Sequence, residues 1–143
     1  MNTPEDEIAI RNLMATYVDA ANRRDGEAWK ATWVEDAVWE LLGNPVECRD
    51  NILSLWSQVL ETFDFALLIP SSGMFEVNGD HASGHWYLQE HTRNLKGEAT
   101  SMISRYLDTY TRVEGSWLYQ SRAYSVIYTG PADLSGQYIP RQD

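Results

Sequence analysis

YVDAANRRDGEAWKATWVEDAVWEL, residues 17–41, carries four aromatic side chains and one amide, Asn22, at the end of a run with helical spacing. Upstream, Thr3, Pro4 and the acids Glu5, Asp6 and Glu7 make a helix start: a hydroxyl cap, a first-turn proline, and negative charge at the positive end of the helix dipole. Ile10, Leu13, Met14, Tyr17 and Ala21 continue it as one apolar stripe. Asn22, Arg23 and Arg24 close the helix, with bases at its negative end. Asp25 is the expected cap of a short second helix carrying Trp29 and Trp33, and AVWELL (37–42) reads as a strand ended by Gly43-Asn44-Pro45. The aromatics of this stretch belong either to an ordinary core or to the rim of a pocket.

Downstream, Asp50 is the expected cap of a third helix with the face Ile52, Leu55, Trp56, Val59, Leu60 and Phe63. The period then changes to that of strands. FALLI (65–69) is interrupted by Pro70 and Ser-Ser-Gly, which predicts a bent or bulged strand. MFEV runs into the hairpin signal Asn78-Gly79-Asp80, and strands follow at about 82–92, 100–113 and 117–128. The last stretch, TGPADLSGQYIPRQD, is turn-rich. These features predict one α+β domain over 1–130 and an irregular tail over 131–143, with an antiparallel sheet curled around helices.

Composition narrows the function. A chain of 143 residues is about one domain's worth and buries enough surface to need no covalent staple. The single cysteine, Cys48, allows no internal disulfide and reads as a packed side chain. The balance of 21 acids to 11 bases argues against nucleic acid as a partner. No signal-peptide pattern or membrane-span-length apolar run occurs, so a cytoplasmic protein with no membrane partner is expected. Six Trp, eight Tyr and three Phe exceed the needs of a small core, and a flat apolar ligand would account for the excess.

The order of elements, with IRNLMATYVDAANRRDGEAWKATWVEDAVWEL, VNGDHASGHWYLQE and RYLDTYTRVEGSWLYQSRAY, resembles the SnoaL-like branch of the nuclear transport factor 2-like superfamily. The resemblance implies a cone-shaped curved antiparallel sheet wrapped around three N-terminal helices, with an open pocket. Strand parity divides the faces. Trp86, Leu88 and Glu90 share one face, and His85, Tyr87 and His91 the other. Met102, Ser104, Tyr106 and Asp108 share a face, as do Gln120, Arg122, Tyr124 and Val126. By resemblance to the scytalone dehydratase and hexachlorocyclohexane dehydrochlorinase members, the faces with Glu90, Tyr106 and Arg122 look into the cone. Tyr17 and Asn22 reach in from the first helix, Trp39 from the first strand, and Trp56 and Ile69 complete the expected lining.

Those relatives use a carboxylate–histidine pair as general base. Asn22 stands at the acid's position and Ile69, or a neighbour in the bend, at the histidine's, so both halves are missing. Asn22 can orient a substrate oxygen but cannot accept a proton at neutral pH. Glu90 is the first candidate to replace the base, because an aromatic cone desolvates a carboxyl and raises its pKa. The bland alternative is an ion pair with Arg122. Arg122 is a candidate for oxyanion binding, or the structural partner of Glu90 or Asp108. Tyr106 and Tyr17 are possible acids or hydrogen-bond donors, or simply packed. His85 and His91 lie about 20 Å apart along one strand and cannot share a metal, and His81 sits beside a turn. No metal and no cofactor is expected.

Two classes of function remain. One is a cofactor-independent lyase or isomerase, of dehydratase, cyclase or formaldehyde-releasing type, acting on a hydrophobic aromatic or polycyclic small molecule. Glu90, Arg122 and Tyr106 are its candidate catalytic residues; Tyr17, Asn22, Trp39, Trp56, Ile69, Trp86, Leu88, Met102, Tyr124 and Val126 its candidate binding residues. The other is a non-catalytic small-molecule-binding or assembly domain. The outer sheet face around His85 and Tyr87 fits a homodimer or homotrimer.

Overall fold

A computed structural model describes residues 2–133, 135–137 and 139. Thr3 Oγ1 accepts the Asp6 N–H at 3.1 Å and opens helix α1, Pro4–Arg23. Asp25 Oδ1 accepts the Ala28 N–H at 3.1 Å and opens α2, Gly26–Lys30. Trp33 is not in that helix. Thr32 Oγ1 donates back to the Trp29 carbonyl at 2.7 Å as the helix stops, and Trp33 begins strand β1, Trp33–Leu41. Gly43-Asn44-Pro45 does not end the pairing either: Leu42 and Gly43, both at positive φ, form a two-residue hairpin turn into β2, Asn44–Glu47.

Helix α3 spans Arg49–Leu60, and its cap position is Cys48 at φ 76°, not Asp50. Asp50 instead accepts from Lys30 Nζ at 3.1 Å. The expected α3 residue Phe63 begins β3, Phe63–Asn78, which is followed by β4, His81–Asn94, β5, Ala99–Val113, and β6, Ser116–Pro131. The expected tail begins where β6 ends, and part of it lies outside the described residues. No helix among the described residues is long and apolar enough to cross a membrane.

The six strands form one curved, unclosed sheet in the order β2-β1-β6-β5-β4-β3. Pairing is antiparallel except between β1 and β6, which run parallel; about half of the chain, with β2, α3, β3, β4 and β5, separates them, so no short hairpin dictates their direction. The bend in β3 lies between Pro70 and Gly73, where the register with β4 shifts. Gly73 is required there because a Cβ would come within 2.4 Å of the Trp86 ring.

A second irregularity is in β6. Thr109 pairs with Ser121 and Tyr110 with Tyr119, so Gln120 is the extra, bulged residue. The bulge inverts parity on its far side. Gln120, expected inward, turns out to Asp36, while Trp117 and Tyr119 go into the core.

Strand β3 is one of the two edges of the sheet, and α1 braces it at two points. Beside the N-terminus of α1, Asn2 Oδ1 accepts the Val77 N–H at 2.7 Å and its Nδ2 donates to the Phe75 carbonyl at 2.9 Å. At the other end Asn22 Oδ1 accepts the Leu68 N–H, and its Nδ2 donates to the Leu68 carbonyl, both at 2.9 Å. Each amide imitates a peptide group and satisfies edge polar groups that would otherwise invite another strand. Between sheet and helices sits an aromatic core: Trp29 stacks on Trp56 at 4.5 Å, and Tyr17 packs on Trp29 and Tyr119 at 5.4 Å.

Candidate active site

The sheet and the helices leave a cavity of about 210 Å³. One side is built by α3 and β1, through Trp56, Val59, Leu60, Trp39 and Leu41, and the other by Ala66, Leu67 and Leu68 of β3. Tyr17 from α1 and Tyr106 from β5 also line it, with their hydroxyls 3.2 Å apart. The lining is overwhelmingly apolar. Among the described residues it contains one ionisable acid, Glu90, and no Lys, Arg or His.

Glu90 is placed by register. It pairs with Leu68 on one side and Met102 on the other, so all three side chains share the inner face. Both of its hydrogen bonds fall on one oxygen: Ser104 Oγ donates to Oε2 at 3.2 Å, and the Tyr124 hydroxyl donates to the same atom. Oε1 accepts no hydrogen bond from the described residues. Burial pushes the Glu90 carboxyl above its ordinary range, and the bonds from Tyr124 and Ser104 pull it back only in part. A carboxyl so placed is suited to taking and returning a proton.

Arg122 is not in the cavity. It is fully buried, with Nε donating to Asp108 Oδ1 at 2.8 Å and Nη2 to Oδ2 at 3.0 Å. Its guanidinium lies 3.7 Å from the Tyr106 ring, 4.0 Å from Tyr119 and 4.4 Å from Tyr17. Burial acts to lower its pKa, but the Asp108 carboxylate outweighs that and holds it well above the usual range. The Glu90–Arg122 ion pair considered from the sequence is therefore absent, and Arg122's carboxylate partner is Asp108. Asp108 is held further by the Tyr110 hydroxyl at 2.8 Å, and Tyr110 in turn accepts the Trp86 indole N–H at 3.0 Å.

The structure brings Glu90, Tyr106, Tyr17, Asn22, Trp39, Trp56, Met102 and Tyr124 to the cavity wall. Five other expectations are corrected. Ile69 is 42% exposed on the outer face, because the inner residue at that point of β3 is Leu68. Trp86 and Leu88 have the expected parity but are packed in the core beyond the cavity. Val126 shares the inner face with its partner Ser104 yet lies outside the lining. Arg122 is sealed off as described. Asn22 reaches the wall with Oδ1 accepting from the Leu68 N–H and Nδ2 donating to the Leu68 carbonyl, so its amide braces β3. The sequence reading missed Thr92, which parity on β4 would have found two residues after Glu90, and Leu67 and Leu68, whose place it gave to Ile69. His85 and His91 are on the outer face as expected, His85 against the Tyr87 ring at 5.6 Å and His91 Nδ1 3.2 Å from Ser101 Oγ.

Solved structures with this architecture include a hexachlorocyclohexane dehydrochlorinase, LinA type 2. It superposes with a TM-score of 0.85 at 17% identity over 97% of this chain and 96% of its own. A provisionally assigned scytalone dehydratase of Novosphingobium aromaticivorans has a TM-score of 0.81 at 19% identity, covering 90% of this chain and 89% of its own. An NTF2-like protein with a cystatin-like fold from the same species has a TM-score of 0.73 at 24% identity, covering 86% and 82%. These likenesses establish the fold. No curated protein matches the chain. The model of the SnoaL-like domain matches residues 2–123, and the chain belongs to that family.

Proposed function

We propose that this chain is a cofactor-independent lyase or isomerase for a small hydrophobic molecule, with Glu90 as its proton-transfer group. The observation that carries the reading is the solitary carboxyl in an apolar cavity, one oxygen held by Tyr124 and Ser104 and the other unengaged. One carboxyl suffices for such chemistry. In an elimination, Glu90 takes a proton from carbon, the freed electron pair forms the double bond, and the leaving hydroxide departs as water with the proton Glu90 returns. In an isomerisation the proton goes back to a different carbon. Tyr17 and Tyr106 supply a phenolic donor to an oxygen that gains charge; burial raises the pKa of both, so both stay protonated at working pH.

The test is incubation of purified protein with hydroxylated aromatics, diaryl compounds and polyketide-like phenols, followed by chromatography and mass spectrometry. Loss of water, loss of formaldehyde or a shifted isomer, growing with protein concentration, supports the reading. A non-catalytic binding domain is the second reading. It is favoured by the bracing role of Asn22, which puts a structural amide where the dehydratase relatives are expected to carry an acid. A compound recovered bound and unchanged, with no product across the panel, would favour it.

A further inference from the structure

The cavity is selective by charge as well as by shape. Among the described residues its lining holds one carboxyl, Glu90, and no Lys, Arg or His, and the Arg122 guanidinium behind it is buried and committed to Asp108 through two hydrogen bonds. An anion entering the cavity would shed its hydration, face Glu90, and meet no cation. The whole chain adds to this with a net charge of −10.

The hydrogen-bonding inventory is equally specific. Glu90 Oε1 is an unengaged acceptor. The Tyr17–Tyr106 pair holds two hydroxyl protons and spends one between its own oxygens, 3.2 Å apart, so one proton is left to donate. A ligand that satisfies both must bring a donor for the carboxylate and an acceptor for the phenol, and a hydroxyl is both. Size sets the remaining limit: about 150 Å³ of apolar cavity holds benzene, so the 210 Å³ here takes one ring with its substituents.

We infer that this pocket takes an uncharged, hydroxyl-bearing single-ring compound and turns away the corresponding carboxylate. The inference names the ligand class for the site assigned above and rests on that assignment of the cavity, but it concerns binding and is read without turnover.

The experiment is calorimetric titration of the protein with para-hydroxybenzyl alcohol and with para-hydroxybenzoate, at about pH 8, where carboxylates are ionised, repeated with Glu90→Gln. The expected result is saturable binding of the alcohol and roughly 100-fold weaker binding of the acid. The gap should narrow at least tenfold in the variant, by about the removal of one like charge. Equal affinity for the two compounds in the unmodified protein would overturn the inference, and that comparison needs no variant. A gap that persists undiminished in Glu90→Gln would overturn its electrostatic cause. Binding of neither compound would overturn the single-ring assignment. If the alcohol binds selectively and no compound in the panel turns over, charge selection stands and the lyase reading falls.

Discussion

Asn22 grips the backbone of Leu68 by both its N–H and its carbonyl, and Leu68 is the residue paired with Glu90 across β3 and β4. The end of α1 is thereby tied, through the backbone N–H and carbonyl of one residue, to the strand position paired with the one acid among the described residues of the cavity wall. An asparagine suits this place because the two partners are a donor and an acceptor, and its amide answers both with separate atoms, Oδ1 and Nδ2. An aspartate would accept from the Leu68 N–H but set a negative oxygen against its carbonyl.

Asn22→Asp is therefore expected to lower stability by about 1–3 kcal/mol, the cost of an unsatisfied, partly buried polar group. Urea unfolding followed by tryptophan fluorescence measures it. A midpoint equal to the parent's would show that the bracing carries no energy.

The Arg122–Asp108 pair is a structural keystone with three tyrosine rings around the guanidinium. Asp108→Asn leaves a buried charge uncompensated and should cost about 3–5 kcal/mol. That is a large part of the 5–15 kcal/mol expected of a domain. Loss of the cooperative thermal transition, or a marked fall in its midpoint, is the expected readout. A variant as stable as the parent would contradict the assignment of Arg122 to structure.

Gly73→Ala would drive a methyl group into the Trp86 ring at 2.4 Å, at the bend of β3. The ring must move, and with it the indole bond to Tyr110. A destabilisation of about 1–3 kcal/mol is expected from overpacking, with a change in near-ultraviolet circular dichroism as the tryptophan shifts. An unchanged spectrum and midpoint would mean that the strand accommodates the methyl freely.

Tyr124→Phe removes a hydrogen bond that holds the Glu90 pKa down. The sign follows directly. Burial places the folded pKa above the unfolded one, so the stability linked to the proton on Glu90 is present below the unfolded value and lost as pH rises through the folded value. Without Tyr124 the folded value moves higher, and the ionised fraction at a given pH falls. The Glu90 carboxyl carbon, followed by NMR during a pH titration, should titrate at higher pH in the variant than in the parent. A shift to lower pH would contradict the arrangement.

The outer face of the sheet exposes Ile69, Ile103 and Tyr128 in one cross-strand row, with Leu107 nearby. A second copy of the chain is the proposed occupant. Light scattering over a dilution series should show a dimer or trimer, and Ile103→Lys should weaken it. A monomer at every concentration would remove the proposal.

The sequence revealed most where a short-range rule acted alone. Thr3 and Asp25 capped helices as their types require, and alternation along β4 and β5 placed Glu90, Met102 and Tyr106 on the inner face. It failed where a single residue broke the period. The bulge at Gln120 hid Trp117 and Tyr119. Ile69 was expected in the lining from the resemblance, at the histidine's position, whereas the register with β4 puts Leu68 opposite Glu90 on the inner face. Leu42 adopts a positive φ that its side chain disfavours, so the hairpin into β2 carried only half of its usual signal. Arg122 was placed on the correct face, but its choice of Asp108 over Glu90 depends on depth within the cone, which alternation does not encode.

Side-by-side turnover of the parent and Glu90→Gln, on whichever compound the parent converts, tests the central claim most directly. Glutamine keeps the shape and removes the proton acceptor. The predicted result is a properly folded variant, with the parent's circular dichroism, whose product formation falls by a factor of about 100–10,000. A folded Glu90→Gln protein that turns over at the parent's rate would contradict the assignment of Glu90 as the proton-transfer group.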